Sequence, residues 1–505
     1  MKQTAALNSL ILLIILTTTA CGNRDFNEAE LLIPAPPVFI SQFPLDPEDM
    51  DLLTLEGPAQ AETDIPLFNE YIISLDFEPN TRIITGIAGV RYTNRTDIAL
   101  NQLVFRAALN AIGYEYDFMN ISHVFQENEE LLFVLESTIL IIDLLRPLEA
   151  DETTQIHIHF EAYIPMTAHR SGANDHAIWA GAFLPVEAVI SQHGWYIEPF
   201  YPVGTPFILD VSNYTVEITT PIGFAVAGTG LKTETYLDYN KITTFTAQVS
   251  RDFAFAISPY FQRSSIMSPS GLVEISFYHY SPDLPIEHIL NIAAETLTFF
   301  EEAVGAYPYP QLCIVETDML RDSESFSAII FMDSGYLRHS GLSPLSSLRQ
   351  AIARQWFSQI IGGNPIEEAW LKGGLAFFLQ DGLLNHPDLL RREIEREYRV
   401  LQIHLTQISN PENRRLSTHI GNYDNWQDYI RVQQRKAKIM FYSLYRKMGQ
   451  ENFNNLLREY YRQFAFEIAT AKDFITLAEE IHGEPLQNFF DHWLYTIEMP
   501  ELPYP

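Results

Sequence analysis

The sequence changes its periodicity near residue 262, and this change constrains the fold more than any other feature. Between about residues 67 and 261, short apolar segments alternate with polar residues and are separated by turn-forming residues. Side chains of a half-buried strand alternate between two faces, so this pattern predicts an all-β domain, a large sheet, saddle or sandwich. From about residue 262 onward, a few strands precede long segments with apolar residues every three or four positions, which is typical of amphipathic helices.

The predicted fold class is therefore multidomain, with an N-terminal β domain over 67–262 and an α+β, mostly helical domain over 263–505. The predicted strands are 71–77, 87–92, 132–135, 154–160, 214–218, 253–257, 273–278 and 312–316. The predicted helices are 285–304, 346–361, 367–380, 389–408, 432–448, 451–464 and 473–481.

The first twenty residues have the pattern of a signal peptide. Lys2 precedes an apolar run over 7–16, and small residues then lead to Cys21. This pattern resembles a bacterial lipobox and predicts lipidation of Cys21, with the membrane as partner and the extracytoplasmic face of a bacterial cell membrane as location. Residues 21–66, rich in proline and acidic side chains, are predicted to be a tether. The alternatives are an uncleaved membrane helix, which needs about 20 apolar residues, and a cytosolic chain with an apolar start.

The net charge argues against a nucleic-acid-binding protein, and the cysteine content argues against a protein held together by disulfides. The formal net charge of −32 repels nucleic acid and anionic headgroups, so no nucleic-acid partner is expected. With Cys21 predicted to carry lipid, Cys313 has no partner for a disulfide within the chain. Cys313 lies in an apolar run, where a buried strand residue is expected rather than a nucleophile.

Several segments of the C-terminal half occur in an order that resembles the aminopeptidase N-type family of zinc metallopeptidases. They are 299–310, Arg354-Gln355-Trp356-Phe357, Glu368-Ala369-Trp370-Leu371, 436–449 and 489–494, and 213–230 resembles the β domain of the same family. The resemblance implies a thermolysin-like helical domain. It also implies that a C-terminal helical superhelix, usual in the family, is missing here.

The resemblance implies a zinc site that this sequence replaces. In the family, two histidines four residues apart and a glutamate on the next helix bind the zinc. A glutamate directly after the first histidine is the general base, another glutamate binds the amine of the substrate, and a tyrosine binds the oxyanion. Here the corresponding positions hold Gln350 and Arg354, Ala351, Gly373, Ser325 and Gln434, with Glu324 one position from Ser325. These residues are vestigial site positions, so no catalytic residue, no metal ligand and no cofactor is expected, with zinc predicted to be lost. A divalent ion about 4 Å from a guanidinium would meet about 8 kcal/mol of repulsion at an effective dielectric of about 20.

Arg354 has two interpretations. In the first, its stem packs on the helix while its head reaches solvent or a carboxylate such as Glu367 or Glu368. In the second, its cation replaces the metal and binds a carboxylate in the cleft.

The chain as a whole also has two interpretations. It is a lipid-anchored, non-catalytic homologue that binds a peptide, an envelope component or a protein partner. Alternatively, it is a metallo-aminopeptidase with a non-standard centre or the partner of an active homologue.

Overall fold

A computed structural model describes residues 68–112, 117–191, 194–205, 208–338, 342–382 and 387–502. The predicted signal peptide (1–20), Cys21 and the tether (21–66) lie outside these residues. Within them, the strands in chain order are β1 (Asn69–Glu78), β2 (Ile83–Thr93), β3 (Leu100–Ala107), β4 (Met119–Gln126), β5 (Glu129–Glu130), β6 (Phe133–Glu136), β7 (Ile139–Leu148), β8 (Thr153–Tyr163), β9 (Ser171–Ala173), β10 (Ile178–Ala180), β11 (Pro185–Glu187), β12 (Ile190–Ser191), β13 (Gly194–Trp195), β14 (Ser212–Pro221), β15 (Ala225–Gly228), β16 (Leu231–Tyr236), β17 (Asn240–Ser250), β18 (Phe255–Ser258), β19 (Gln262–Met267), β20 (Glu274–His279), β21 (Gln311–Thr317), β22 (Ser323–Phe326) and β23 (Ile329–Asp333).

The alternating segments form an eight-stranded sheet in the order β16-β17-β14-β1-β2-β8-β4-β5. In β1, Tyr71, Ile73 and Leu75 are buried on one face while the residues between them are half-exposed, as a period of two requires. Two four-stranded sheets, β11-β3-β7-β6 and β15-β18-β10-β9, and the pair β12-β13 complete the β domain. The sequence prediction of an all-β domain is confirmed.

A mixed five-stranded sheet, β19-β20-β21-β23-β22, begins the second domain. The helices that follow or flank it are Ile286–Ala303, Ser334–Arg338, Leu342–Arg354, Leu375–Gly382, Pro387–Thr406, Trp426–Tyr429, Ala437–Met448, Gln450–Phe464, Ala471–His482 and Gln487–Tyr495. Short 3₁₀ turns occur at Ala108–Ala111, Pro411–Arg414 and Ile420–Asn422. The mostly helical α+β domain that the sequence predicts is also confirmed.

Three segments within this domain are π-helical: Gln355–Ile360, Trp370–Gly374 and Ile430–Lys436. The sequence predicted each of them as part of a continuous α-helix, and that prediction is wrong in this detail. The apolar pattern that identifies a helix does not distinguish a spacing of four residues from a spacing of five over a single turn.

One apolar core joins the five-stranded sheet to the helices. Trp356 and Trp370 are fully buried in it. Gly374 allows two helical segments to approach closely, because a Cβ atom added to it would lie 2.2 Å from the Cβ of Ala437. The apolar faces of these helices thus pack into a shared core.

A second apolar cluster joins the two domains. Trp179 and Ala256 of the β domain pack in it with Cys313, Val315 and Phe326 of the five-stranded sheet. Cys313 is buried, as the sequence predicted, and burial raises the pKa of its thiol to about 12. The thiolate needed for nucleophilic chemistry is thereby disfavoured.

Among the residues that the structure describes, every helix falls short of the length and apolar character that crossing a bilayer requires.

Candidate ligand-binding site

A cavity of about 90 Å³ lies where the β domain meets the helical domain. The β domain supplies Arg170, the chain near Gly204 and Leu209, and the adjacent pair Arg251 and Asp252. The helical domain supplies residues 321–326, the three π-helical segments with their neighbours, and the helix turn that contains Trp426 and Tyr429. The site is therefore assembled from both domains rather than from one motif.

Strand β22 forms one wall, and hydrogen bonds fix it against the helix Leu342–Arg354 and the π-helical segment that follows. The buried amide of Gln355 donates to the Phe326 carbonyl at 3.0 Å and accepts from the Ala328 amide at 3.0 Å. Gln359 donates to the Ser325 carbonyl at 2.8 Å, and the Ser325 hydroxyl donates to the Ala351 carbonyl at 2.9 Å. These bonds pair the buried amides of Gln355 and Gln359 with β22 and its neighbours, and they hold the backbone of β22 in place.

Glu324 lies at the centre of a charged group in this wall. Its carboxylate, 10% exposed, accepts from Nε of Arg170 at 2.8 Å and lies 3.7 Å from Nη1 of Arg321. Burial alone would raise the pKa of Glu324, but Arg170, Arg321 and Arg354 outweigh burial and lower it. Glu324 is therefore ionised at neutral pH and fixes two arginines at the edge of the cavity.

Arg321 also stacks on an aromatic ring. The carbon of its guanidinium lies 3.4 Å from the centre of the Trp426 ring. Burial lowers the pKa of Arg321 to about 10, an effect that Glu324 opposes and the neighbouring arginines reinforce. The guanidinium keeps its charge at neutral pH in a position set by the ring and by Glu324.

Arg354 lies in the cavity without a protein acceptor. Among the described residues, no hydrogen bond or ion pair reaches its guanidinium. The two carboxylates suggested by the sequence interact elsewhere: Glu367 lies 3.8 Å from His419, and Glu368 accepts from the Ala471 amide at 2.8 Å. In the described residues, neither of these two carboxylates pairs with Arg354.

Lys372 is a second cation that lines the cavity without a protein acceptor among the described residues. Burial, reinforced by Arg251 and opposed by Asp252, lowers the pKa of its ammonium to about 7. In the described part of the chain, no acceptor is recorded for Lys372 either, and its side chain lines the cavity beside Gly373. A buried ammonium without an acceptor is costly unless a ligand supplies the missing hydrogen bonds.

Arg251, in contrast, already has four backbone acceptors. Its Nε donates to the Gln359 carbonyl at 2.9 Å and one Nη donates to the Leu209 carbonyl at 2.7 Å. The other Nη donates to the carbonyls of Ile360 at 3.1 Å and Glu467 at 3.2 Å. Four of its five N–H groups thus tie the end of the β domain to the helical domain.

Four of the predicted site positions come together in the cavity. Ser325, Arg354, Gly373 and Gln434 all line it. A Cβ atom added to Gly373 would lie 3.8 Å from Cγ of Gln434, so these two positions face each other across the site. These four positions therefore lie on one surface.

Gln350 and Ala351, the remaining two predicted positions, do not line the cavity. Both are buried in the helix Leu342–Arg354, and Nε2 of Gln350 has no hydrogen-bond partner in the described structure. Ala351 contributes only its carbonyl, as the acceptor for Ser325.

The lining residues that the sequence did not predict include Arg170, Arg321, Lys372, Trp426 and Tyr429. The nearest signal was Arg170, which follows His169 in a polar loop, and Arg321, three residues before Glu324. None belongs to a recognisable motif, since the fold brings them together from segments far apart in the sequence.

The side chains around the cavity do not fit a zinc ion. Arg354 is a permanent cation, Gly373 has no donor, and Gln434 is a neutral amide. Within the described ranges, no group of three His, Cys, Asp or Glu side chains is placed to hold a metal ion. The donor set instead suits an anionic group, because guanidinium and ammonium groups donate hydrogen bonds and accept none.

A β domain followed by this helical domain is the fold of the two-domain M1 metallopeptidases. The chain superposes on a two-domain M1 zinc metallopeptidase mutant bound to L-arginine with a TM-score of 0.67 and 16% identity, over 87% of this chain and 96% of that one. The M1 zinc metallopeptidase from Deinococcus radiodurans gives a TM-score of 0.65 at 16% identity, over 87% and 95% of the two chains. At this identity the likeness establishes the fold.

Sequence comparisons identify the helical domain. Residues 288–493 match the model of the Peptidase family M1 domain. Aminopeptidase M1-D from Oryza sativa subsp. japonica is 22% identical over 219 residues, 40% of this chain and 25% of the relative. Aminopeptidase O from Rattus norvegicus is 24% identical over 250 residues, 43% of this chain and 30% of the relative. The chain thus contains a region homologous to M1 aminopeptidases and spans a quarter to a third of the length of these relatives.

These comparisons correct the cofactor prediction. The sequence analysis predicted no cofactor, with zinc lost, but the solved structures that share the fold are zinc metallopeptidases. Zinc is therefore the metal associated with this fold, and its loss from this chain is not shown.

Proposed function

We propose that this chain is an exported, lipid-anchored and non-catalytic relative of the M1 aminopeptidases, which binds a peptide-like ligand in the cavity between its domains. The observation that carries the proposal is the guanidinium of Arg354, which lines the cavity and has no acceptor among the described residues. A cation that is partly buried without a partner gains most from a ligand that supplies one.

Two positions support binding without turnover. Ala351 stands where the family resemblance places the general base, and alanine has no group to move a proton. Gln434 stands at the position of the oxyanion-binding tyrosine and lines the cavity as a neutral amide. A peptide held here would meet neither the general base nor the oxyanion-binding tyrosine that the family resemblance implies.

Two solved structures of the same fold support a ligand the size of an amino acid or a short peptide. One is described as bound to L-arginine, and one from Deinococcus radiodurans as bound to a Tyr-Ser-Ala substrate. We infer that the corresponding cavity of this chain also receives the end of a peptide or a free amino acid.

The proposal predicts binding without hydrolysis. The full chain, mixed with aminoacyl amides and tripeptides, is expected to give no turnover above the buffer rate, with or without added zinc. Calorimetric titration of the same tripeptides is expected to give saturable heat. Turnover that a chelator abolishes would contradict the non-catalytic assignment and favour an enzyme with a non-standard centre. An active M1 aminopeptidase assayed in parallel is the control for the substrates.

A second prediction concerns the anchor. Cys21→Ser is expected to release the chain from the membrane fraction, because the lipid on that thiol would be lost and the net charge of −32 repels anionic headgroups. Fractionation of the producing cells and mass spectrometry of the mature N-terminus measure this. Cys313→Ser, at a buried thiol, is the matched control and is expected to leave the distribution unchanged. Equal membrane content of wild type and Cys21→Ser would contradict the anchor.

A further inference from the structure

The charge around the cavity is opposite to that of the chain. The whole sequence has 32 basic and 64 acidic side chains. The cavity is lined by five basic side chains and by two acidic ones, Asp252 and Glu324. In so acidic a protein, this reversal concentrates positive potential in one enclosed place, where it acts on a ligand more strongly than at the open surface.

Protein groups satisfy three of the five cations. Arg170 and Arg321 interact with Glu324, and Arg251 donates to four backbone carbonyls. Arg354 and Lys372 are left, and both line the cavity without an acceptor in the part of the chain that the structure describes. Two cations of this kind gain most from an anion that enters the cavity and accepts their hydrogen bonds.

We propose that the cavity recognises a free carboxylate, the C-terminal carboxylate of a peptide or of an amino acid. This inference rests on the proposed binding function and names the chemical group that is bound. The planar guanidinium of Arg354 presents parallel N–H donors that match the two oxygens of a carboxylate. The ammonium of Lys372 supplies a second, compact cation.

The size of the cavity selects the end of a ligand. Its volume of about 90 Å³ is well below the roughly 300–1,000 Å³ typical of sites that enclose a whole drug-sized molecule. A terminal carboxylate with its own residue requires less space, and the rest of the peptide extends outward. Large polyanions are disfavoured, because the net charge of −32 repels them before they reach the site.

Titratable groups around the cavity give the interaction a defined pH dependence. Burial lowers the pKa of Lys372 to about 7 and raises that of Asp252 to about 6, while the arginines lower that of Glu324. Arginine keeps its charge over this range, and burial raises the pKa of Tyr429, so its hydroxyl stays neutral. As pH rises through 6 to 7, Asp252 becomes negative and Lys372 becomes neutral. Carboxylate affinity is therefore expected to fall with rising pH.

Matched ligands test which group is recognised. Trialanine, N-acetyl-trialanine and trialanine amide are titrated into the full chain by calorimetry. Trialanine and its N-acetyl form, which share the carboxylate, are expected to bind with similar affinity. The C-terminal amide is expected to bind at least about tenfold more weakly, as for the loss of a charge-assisted hydrogen bond.

Single-residue variants test which side chains bind the carboxylate. Arg354→Gln is expected to weaken N-acetyl-trialanine at least about tenfold and to leave the amide unchanged. Lys372→Met is expected to remove most of the pH dependence between about pH 6 and pH 8. Arg263→Gln is the control, since it removes the same charge from a side chain that is 40% exposed and does not line the cavity. Thermal unfolding of each variant separates loss of binding from loss of the fold.

The possible outcomes separate this inference from the function it rests on. If the amide binds as well as the acid, or if Arg354→Gln and Lys372→Met both bind like wild type, carboxylate recognition is wrong while peptide binding stands. A requirement for the free amine instead of the carboxylate has the same consequence. Inorganic phosphate that competes more strongly than acetate would show a general anion site and overturn the carboxylate assignment. Absence of heat with all three peptides would overturn the proposed function itself.

Discussion

Arg251→Ala is expected to lower the free energy of unfolding by about 4 kcal/mol or more. The substitution leaves four backbone carbonyls without their donor in the interior where the two domains meet. It also removes the cation next to the buried carboxylate of Asp252. Chemical denaturation followed by circular dichroism measures the change.

Arg263→Ala is the matched control for this prediction. Arg263 forms an ion pair with Glu274 at the surface, where both side chains are about two-fifths exposed, 40% and 42%. Its removal is expected to cost less than about 1 kcal/mol, because solvent screens such pairs. A loss for Arg251→Ala that is no larger than for Arg263→Ala would mean that the four backbone bonds do not hold the two domains together.

Trp356→Ala is expected to cost about 3–5 kcal/mol, as for other large buried aromatic side chains. The indole is fully buried, stacks on Phe300 with ring centres 5.3 Å apart, and donates to the Gly305 carbonyl at 2.9 Å. Its removal creates a large void directly after the helix that carries Arg354. The midpoint of thermal unfolding is the measurement.

Tyr239→Ala provides the comparison for this aromatic truncation. The Tyr239 side chain is 86% exposed, so its removal is expected to change stability by less than about 0.5 kcal/mol. We also expect Trp356→Phe to recover part of the loss, because the smaller ring keeps the contact with Phe300 and loses only the bond to Gly305. Equal midpoints for Trp356→Ala and wild type would contradict this description of the core.

Most of the architecture could be predicted from the sequence because burial imposes a period. The strand at Tyr71, Ile73 and Leu75 has one buried face, so its alternation is visible in the sequence and matches the sheet. The helix Ile286–Ala303 likewise buries one stripe and was predicted to within one residue at each end. The π-helical segments have no such signature, since one extra residue in a single turn does not change the apolar pattern enough.

The site was only partly predictable, for a different reason. Arg354, Gly373 and Gln434 were located because flanking tryptophans and glycines fix their register in the family pattern. Arg170 and Lys372 have no such neighbours, and their role follows from three-dimensional proximity to Glu324 and Asp252. The role of a charged side chain depends on the groups within a few ångströms of it, and a single sequence does not contain those distances.

The three π-helical segments, Gln355–Ile360, Trp370–Gly374 and Ile430–Lys436, each contribute residues to the cavity wall. A π turn holds one residue more than an α turn. Deleting one residue from Trp370–Gly374 would restore α geometry within that segment and keep the register of the flanking helix, because the π turn absorbs the extra residue. Lys372 and Gly373 would then face a different direction while the core helices stayed in place. The composition of this cavity is therefore open to change by single-codon deletions, a shorter evolutionary route than the exchange of several side chains one by one.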